Sequence, residues 1–152
     1  MIKTLPAVMA CLSLPMAPAM ADEGAALYQS HCAMCHMDGA QGQPGRVPPL
    51  AGRMGRLSAT GEGRRYVAAV LLNGMMGRIM VGDETYAGFM PAFRMLSDTQ
   101  VAATLNHLTR LPDGAGAAPY TAADIAAARM EKLSPPAVAD RRTMPEARLP
   151  PS

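Results

Sequence analysis

Cys32, Ala33, Met34, Cys35 and His36 set two thiols three positions apart and run directly into an imidazole. This spacing lets each thiol add across one vinyl group of a haem while the next residue offers a ring nitrogen to the iron. Three other readings compete. A zinc site could recruit His31, Cys32, Cys35 and His36, but neighbouring ligands crowd a tetrahedral centre, and the sequence has no second CxxC or distant ligand pair to complete it. A thioredoxin-like redox pair requires a strand entering the motif and a parallel sheet around it, and no such pattern surrounds these residues. A purely structural pair of free thiols would be oxidised in an oxidising compartment. The attachment reading is therefore preferred.

The compartment follows from the first residues. Residues 1–21 open with Lys3, continue through the apolar run from Leu5 to Leu14 and end on Ala19, Met20 and Ala21, followed by Asp22 and Glu23. This is the layout of a secretory leader with an AxA cleavage signal. A retained membrane helix is opposed by Pro6, Pro15 and Pro18 and by the shortness of the run. A lipid on Cys11 is opposed by the few apolar residues before it. Removal of the leader takes Cys11 away, so the mature chain keeps only Cys32 and Cys35, too few for a disulfide framework.

Charge and composition narrow the function classes. The formal charge of +2 falls to +1 without Lys3, and no basic stripe points to nucleic acid. Arg46, Arg53, Arg56, Arg64, Arg65 and Arg78 outnumber the acids between Cys32 and Met80. They read as a solvated face, with a steering patch for an acidic partner as the alternative. Aromatic residues are only 4% of the chain, with no Trp, so a bound cofactor would supply bulk that the side chains lack.

Hydrophobic spacing predicts helices over residues 24–30, 62–73 and from Ser97 to Pro112, the last opened by a Ser97–Gln100 capping box. Residues 121–132 read as a lone helix. Residues 38–55 and 75–93 are rich in Gly and Pro and read as loops, and no strand pattern is visible. Pro135, Pro136, Pro145, Pro150 and Pro151 make the last twenty residues poor candidates for packed structure. Within the second loop, YAGFMPAF sets Met90 between Gly88 and Pro91 as a candidate second iron ligand. Met80 is the alternative, and Met75 and Met76 read as pocket lining.

CAMCH, the VPPL loop at residues 47–50, YAGFMPAF and the SDTQVAATLNHL helix together resemble a class I c-type cytochrome over residues 24–110. The resemblance implies an all-α cytochrome c fold, with three to four helices around one covalent haem c. Its organisation would be a signal peptide over 1–21, the cytochrome domain over 22–111 and an extension over 112–152 with one short helix and a Pro-rich end. It implies that Cys32 and Cys35 hold the haem and that His36 and Met90 ligate the iron. The Pro48 carbonyl would accept the Nδ1 proton of His36, and Leu50, Val70 and Phe93 would wall the cofactor. Gly24 and Tyr28 would cross Leu105 and Leu108. Tyr86 and Arg53 are candidates for its propionates, whereas His31, as a variable position, and His107, as an exposed one, are not expected to bind iron.

With both axial positions filled, the expected activity is electron transfer rather than catalysis. The expected role is that of a periplasmic carrier without stable membrane insertion, with a periplasmic dehydrogenase as donor and a terminal oxidase or another cytochrome as acceptor. TAADIAAAR is similar to tails on cytochrome subunits of periplasmic dehydrogenases; a solvated helix without fixed role is the alternative. A haem enzyme or gas sensor would need an open iron position, and a thiol or metal module would lack haem.

Overall fold

The computed structural model describes residues 19–112 and 117–142, with side chains from residue 23 onward. Most of the predicted leader and the last ten residues lie outside the described residues. The chain opens with α1 (Ala19–His31), which crosses the predicted cleavage point after Ala21 and runs through Cys32 into the short α2 (Ala33–His36). After a long irregular segment come α3 (Met54–Leu57) and α4 (Gly61–Asn73). Strands β1 (Met75–Val81) and β2 (Glu84–Met90) follow, then α5 (Asp98–Thr109), α6 (Ala122–Arg129) and α7 (Pro135–Asp140).

The predicted helix starts have their physical basis in side-chain caps. Thr60 Oγ1 accepts from the Gly63 amide at 3.0 Å to open α4. Ser97 and Gln100 exchange the two bonds of a capping box at the head of α5, and Thr121 and Asp124 do the same for α6. The frame of the domain is the crossing of α1 with α5. Gly24 makes it possible: a Cβ there would lie 2.3 Å from the Ala103 carbonyl oxygen and 3.0 Å from His107 Cβ, so only glycine lets the backbones meet. The contact falls on Ala103 and His107 rather than on Leu105 and Leu108, which turn inward and are buried. His107 is consequently half-buried, its ring 5.5 Å from that of Tyr28, which corrects the expectation of an exposed histidine.

The all-α expectation is also corrected, because residues 75–90 form an antiparallel hairpin where a loop was expected. Val81 pairs with Glu84 across the two-residue turn Gly82-Asp83, and the register closes with Met75 opposite Met90. Gly82 has φ +60° while Asp83 stays at negative φ, which suits a type II′ turn with glycine first. Ile79, Val81 and Tyr86 form a small apolar cluster of their own on one face. Gly77 and Gly88, directly opposite each other, broke the alternation that would have betrayed the strands.

A second correction concerns the extension. Helix α6 is not a lone helix: Ile125 is fully buried, and Tyr120 just before it lies in the main core, where its hydroxyl and that of Ser58 share a 2.8 Å hydrogen bond. Asn106 of α5 exchanges two hydrogen bonds with the Tyr120 backbone. Arg129 donates Nε–H to Asp98 at 2.7 Å and further bonds to the Arg94 and Leu96 carbonyls. Residues expected to be unpacked form α7, whose two prolines occupy the first turn, where a missing amide costs nothing. Val138 is fully buried, and Ala139 sits 3.6 Å from where a Cβ on Gly77 of β1 would stand. The extension thus passes from α5 over α4 to the hairpin face that carries Ile79, Val81 and Tyr86. Among the described residues no helix is long and apolar enough to cross a membrane.

Ile125→Ala is expected to destabilise the protein by about 2–5 kcal/mol through a cavity between α6 and the core, read as a lower denaturant midpoint. Met130→Ala, one turn away and 84% exposed, is expected to change stability by no more than about 0.5 kcal/mol.

Candidate functional site

The cysteine motif is one helical turn. Cys32 N–H continues α1 by donating to the Tyr28 carbonyl at 2.8 Å, and His36 N–H donates to the Cys32 carbonyl at 2.9 Å. Residues three apart on such a turn share a face, so both thiols line the same cavity. Cys32 is buried and Cys35 exposed. Burial, reinforced by the neighbouring Cys35, pushes the Cys32 thiol up to about 11.

His36 is buried at 7% exposure. Its Nδ1 lies 3.1 Å from the Pro48 carbonyl, and since a carbonyl only accepts, Nδ1 carries the proton and Nε2 keeps the lone pair. Burial lowers the His36 pKa, against the opposing pull of that hydrogen bond, so the ring is neutral at neutral pH. The segment that brings Pro48 here is held by unusual backbone. Met37 and Ala40 both take positive φ, 66° and 58°, without being glycine. Each is pinned: the Tyr28 hydroxyl donates to the Met37 carbonyl, and the Ala40 carbonyl accepts from Leu50 and Ala51 at 2.8 and 3.0 Å.

On the opposite wall, Met90 ends β2 half-buried. Gly74, at φ +72°, turns the chain out of α4 beneath it; a Cβ there would lie 2.6 Å from the Met90 carbonyl oxygen. Phe93 N–H then donates to the Leu71 carbonyl at 2.8 Å, tying the segment after Met90 to α4.

Between these walls lie two adjoining cavities that share Cys32, His36, Pro48, Met75 and Met90 as lining. The outer one adds Cys35, His31, Tyr86, Phe89 and Phe93. The deeper one adds Leu50, Val67, Val70, Leu71, Leu105 and Leu108 from the core, together with Arg53 and Arg142. Every residue expected to hold or wall a cofactor, namely Cys32, Cys35, His36, Pro48, Leu50, Val70, Met90 and Phe93, thus borders this one cleft. Met80 does not: it is 60% exposed on β1 and lines neither cavity. Of the two methionines read as pocket lining, Met75 borders both cavities and Met76 neither. The Tyr86 hydroxyl is engaged with Glu84 at 2.7 Å. Tyr66 and Arg142 were missed as site residues. Tyr66 was hidden because its helical spacing also fits ordinary core packing, and Arg142 because it lies in a Pro-rich tail.

The chemistry of this set fits a haem iron. A neutral imidazole with Nδ1 committed, a thioether, two thiols on one face and apolar walls suit a flat, largely apolar macrocycle with a soft-tolerant metal. They do not suit zinc, and among the described residues no three His, Cys, Asp or Glu side chains gather as a metal site. The sole sheet among the described residues is the antiparallel hairpin, which removes the thioredoxin-like reading as well.

The profile of the family described as cytochrome c oxidase, cbb3-type, subunit III matches residues 19–108. The chain is 38% identical to a cytochrome c-552 of Thermus thermophilus over 146 residues, which cover 93% of this chain and 96% of that one. A second Thermus thermophilus cytochrome c-552 is 40% identical over 124 residues, 79% of this chain and 94% of its own. The chain therefore belongs to the cytochrome c family, as a class I c-type cytochrome. It carries covalently bound haem c and is an electron-transfer protein.

In haem-free chain produced without cytochrome maturation, alkylation with iodoacetamide at pH 8 is expected to modify Cys35 at least about tenfold faster than Cys32, whose burial hinders access and suppresses the thiolate. Peptide mapping over time checks this; equal rates would contradict the geometry of the motif.

Proposed function

We propose that the protein is a periplasmic one-electron carrier in which Cys32 and Cys35 would hold haem c through thioether bonds and His36 and Met90 would ligate its iron. The observation that carries this reading is the shared lining of the cleft, where the cysteine turn and the Pro48-bound imidazole face the wall that bears Met90. When bound, the haem supplies a one-electron ferric/ferrous couple.

The side chains set how that couple behaves. Hydrogen bonding to Pro48 orients His36 and strengthens it as a donor. The Met90 thioether favours the ferrous state and raises the potential. Two side-chain ligands leave no position for oxygen or substrate, which makes the protein a carrier rather than an enzyme. Apolar walls from Leu50, Val70 and Phe93 keep water from the macrocycle, so little solvent must reorganise when the charge changes.

The predicted leader over residues 1–21 supports a periplasmic location, with processing after Ala21, a cytochrome domain over 22–111 and an extension over 112–152. We infer a periplasmic dehydrogenase as donor and a terminal oxidase or another cytochrome as acceptor, the protein acting free or as a dehydrogenase-associated haem subunit. The name of the matching family, a subunit of a cbb3-type oxidase, supports the acceptor side.

Carbon monoxide added to the dithionite-reduced holoprotein at neutral pH is expected to leave its visible spectrum unchanged over minutes. Met90→Ala is expected to bind one equivalent rapidly and to show a lower midpoint potential. Rapid stoichiometric binding by the unsubstituted protein would contradict the carrier reading. A Met90→Ala protein that still resists carbon monoxide would contradict the ligand assignment.

A further inference from the structure

The deeper cavity is walled mainly by leucine, valine and methionine side chains, yet two arginines also line it, Arg53 and Arg142. A cation beside apolar walls is costly unless an anion or hydrogen-bond acceptors meet it. Arg142 reaches this place from the far end of the chain. Its amide donates to the Ala139 carbonyl at 3.0 Å, prolonging the turn that ends α7, and the burial of Val138 fixes that helix against the body. Its Nε donates to the Met80 carbonyl at 3.2 Å and its Nη1 to the Tyr66 hydroxyl at 3.3 Å. The guanidinium is therefore oriented from both sides, by β1 and by α4. A planar fork held in this way matches a carboxylate better than any other common anion-binding side chain does.

Haem c brings two propionate carboxylates into this cleft. Resting on the haem reading proposed above, we propose that Arg142, delivered by the C-terminal extension and steadied by the Tyr66 hydroxyl, binds a haem propionate together with Arg53. The extension then contributes to the cofactor site itself and not only to the packing around it. A guanidinium paired with a propionate cancels negative charge near the iron. Its removal leaves the carboxylate uncompensated, which favours the ferric state and lowers the potential.

The test uses the mature, full-length holoprotein and redox titration followed by visible absorbance. Arg142→Gln is expected to retain one covalent haem per chain while its reduction equilibrium constant falls about tenfold, equal to about 59 mV for one electron. Arg142→Lys is expected to recover most of that loss. Arg141→Gln, which breaks the exposed 2.6 Å pair with Glu131 on the same tail, is expected to stay within about twofold of the parent. If Arg142 merely latched the tail, Arg142→Gln would lower the unfolding midpoint and leave the reduction constant within about twofold of the parent, overturning the proposal. Proton NMR of the unsubstituted ferrous protein needs no variant: cross-relaxation between the propionate methylenes and the Arg142 side chain is expected, and its absence would also overturn the assignment. Failure of the underlying haem reading is separately visible, because the parent protein would then carry no haem on Cys32 and Cys35.

Discussion

The hydrogen bond between His36 Nδ1 and the Pro48 carbonyl, 3.1 Å long, joins the two parts of the chain that must meet for the site to exist. On one side stands a helical turn whose cysteine spacing makes sense only if the next residue presents a ring nitrogen. On the other stands an irregular segment that has no regular structure to hold it. Its position is secured by two non-glycine residues at positive φ, each tied by its carbonyl to Tyr28, Leu50 or Ala51. Backbone strain of about 1–3 kcal/mol per such residue persists only where surrounding contacts over-determine it. Here those contacts make the proton on Nδ1 permanent and leave Nε2 as the donor to a metal.

The opposite wall is built by other means. A hairpin brings Met75 and Met90 side by side at its open end, and the Gly74 turn fixes that end to α4. A two-stranded hairpin is marginal on its own. This one is backed by α7, with Val138 buried and Ala139 against the cluster of Ile79, Val81 and Tyr86. The wall carrying Met90 thus depends on residues some fifty positions further along the chain, and the extension is part of what gives the cleft its shape.

How much of this could be read from the sequence differs by element for physical reasons. The cysteine motif and the segment around Met90 were legible because their chemistry needs particular residue types at fixed spacing. Helix α5 was legible because the Ser97–Gln100 capping box is local in sequence, and α4 because Tyr66, Val67, Val70 and Leu71 recur at helical spacing. The hairpin was not, although Gly82-Asp83 is a turn signal of the right kind; glycines at 77 and 88 and methionines on both faces erased the period of two. The packing of the extension was hidden because proline counts say nothing of whether Pro135 and Pro136 fall in a first helical turn or in a coil. The exposure of His107 was misjudged because its burial is set by Gly24, a residue some eighty positions earlier, whose missing side chain lets α1 approach.

The central claim is covalent attachment of one haem at the cysteine turn, and protease digestion of the denatured, properly matured protein followed by mass spectrometry tests it most directly. The account predicts that the peptide containing Cys32 to His36 carries the mass of one haem and that no other peptide does. Recovery of that peptide unmodified, with both thiols free to alkylate, would contradict it.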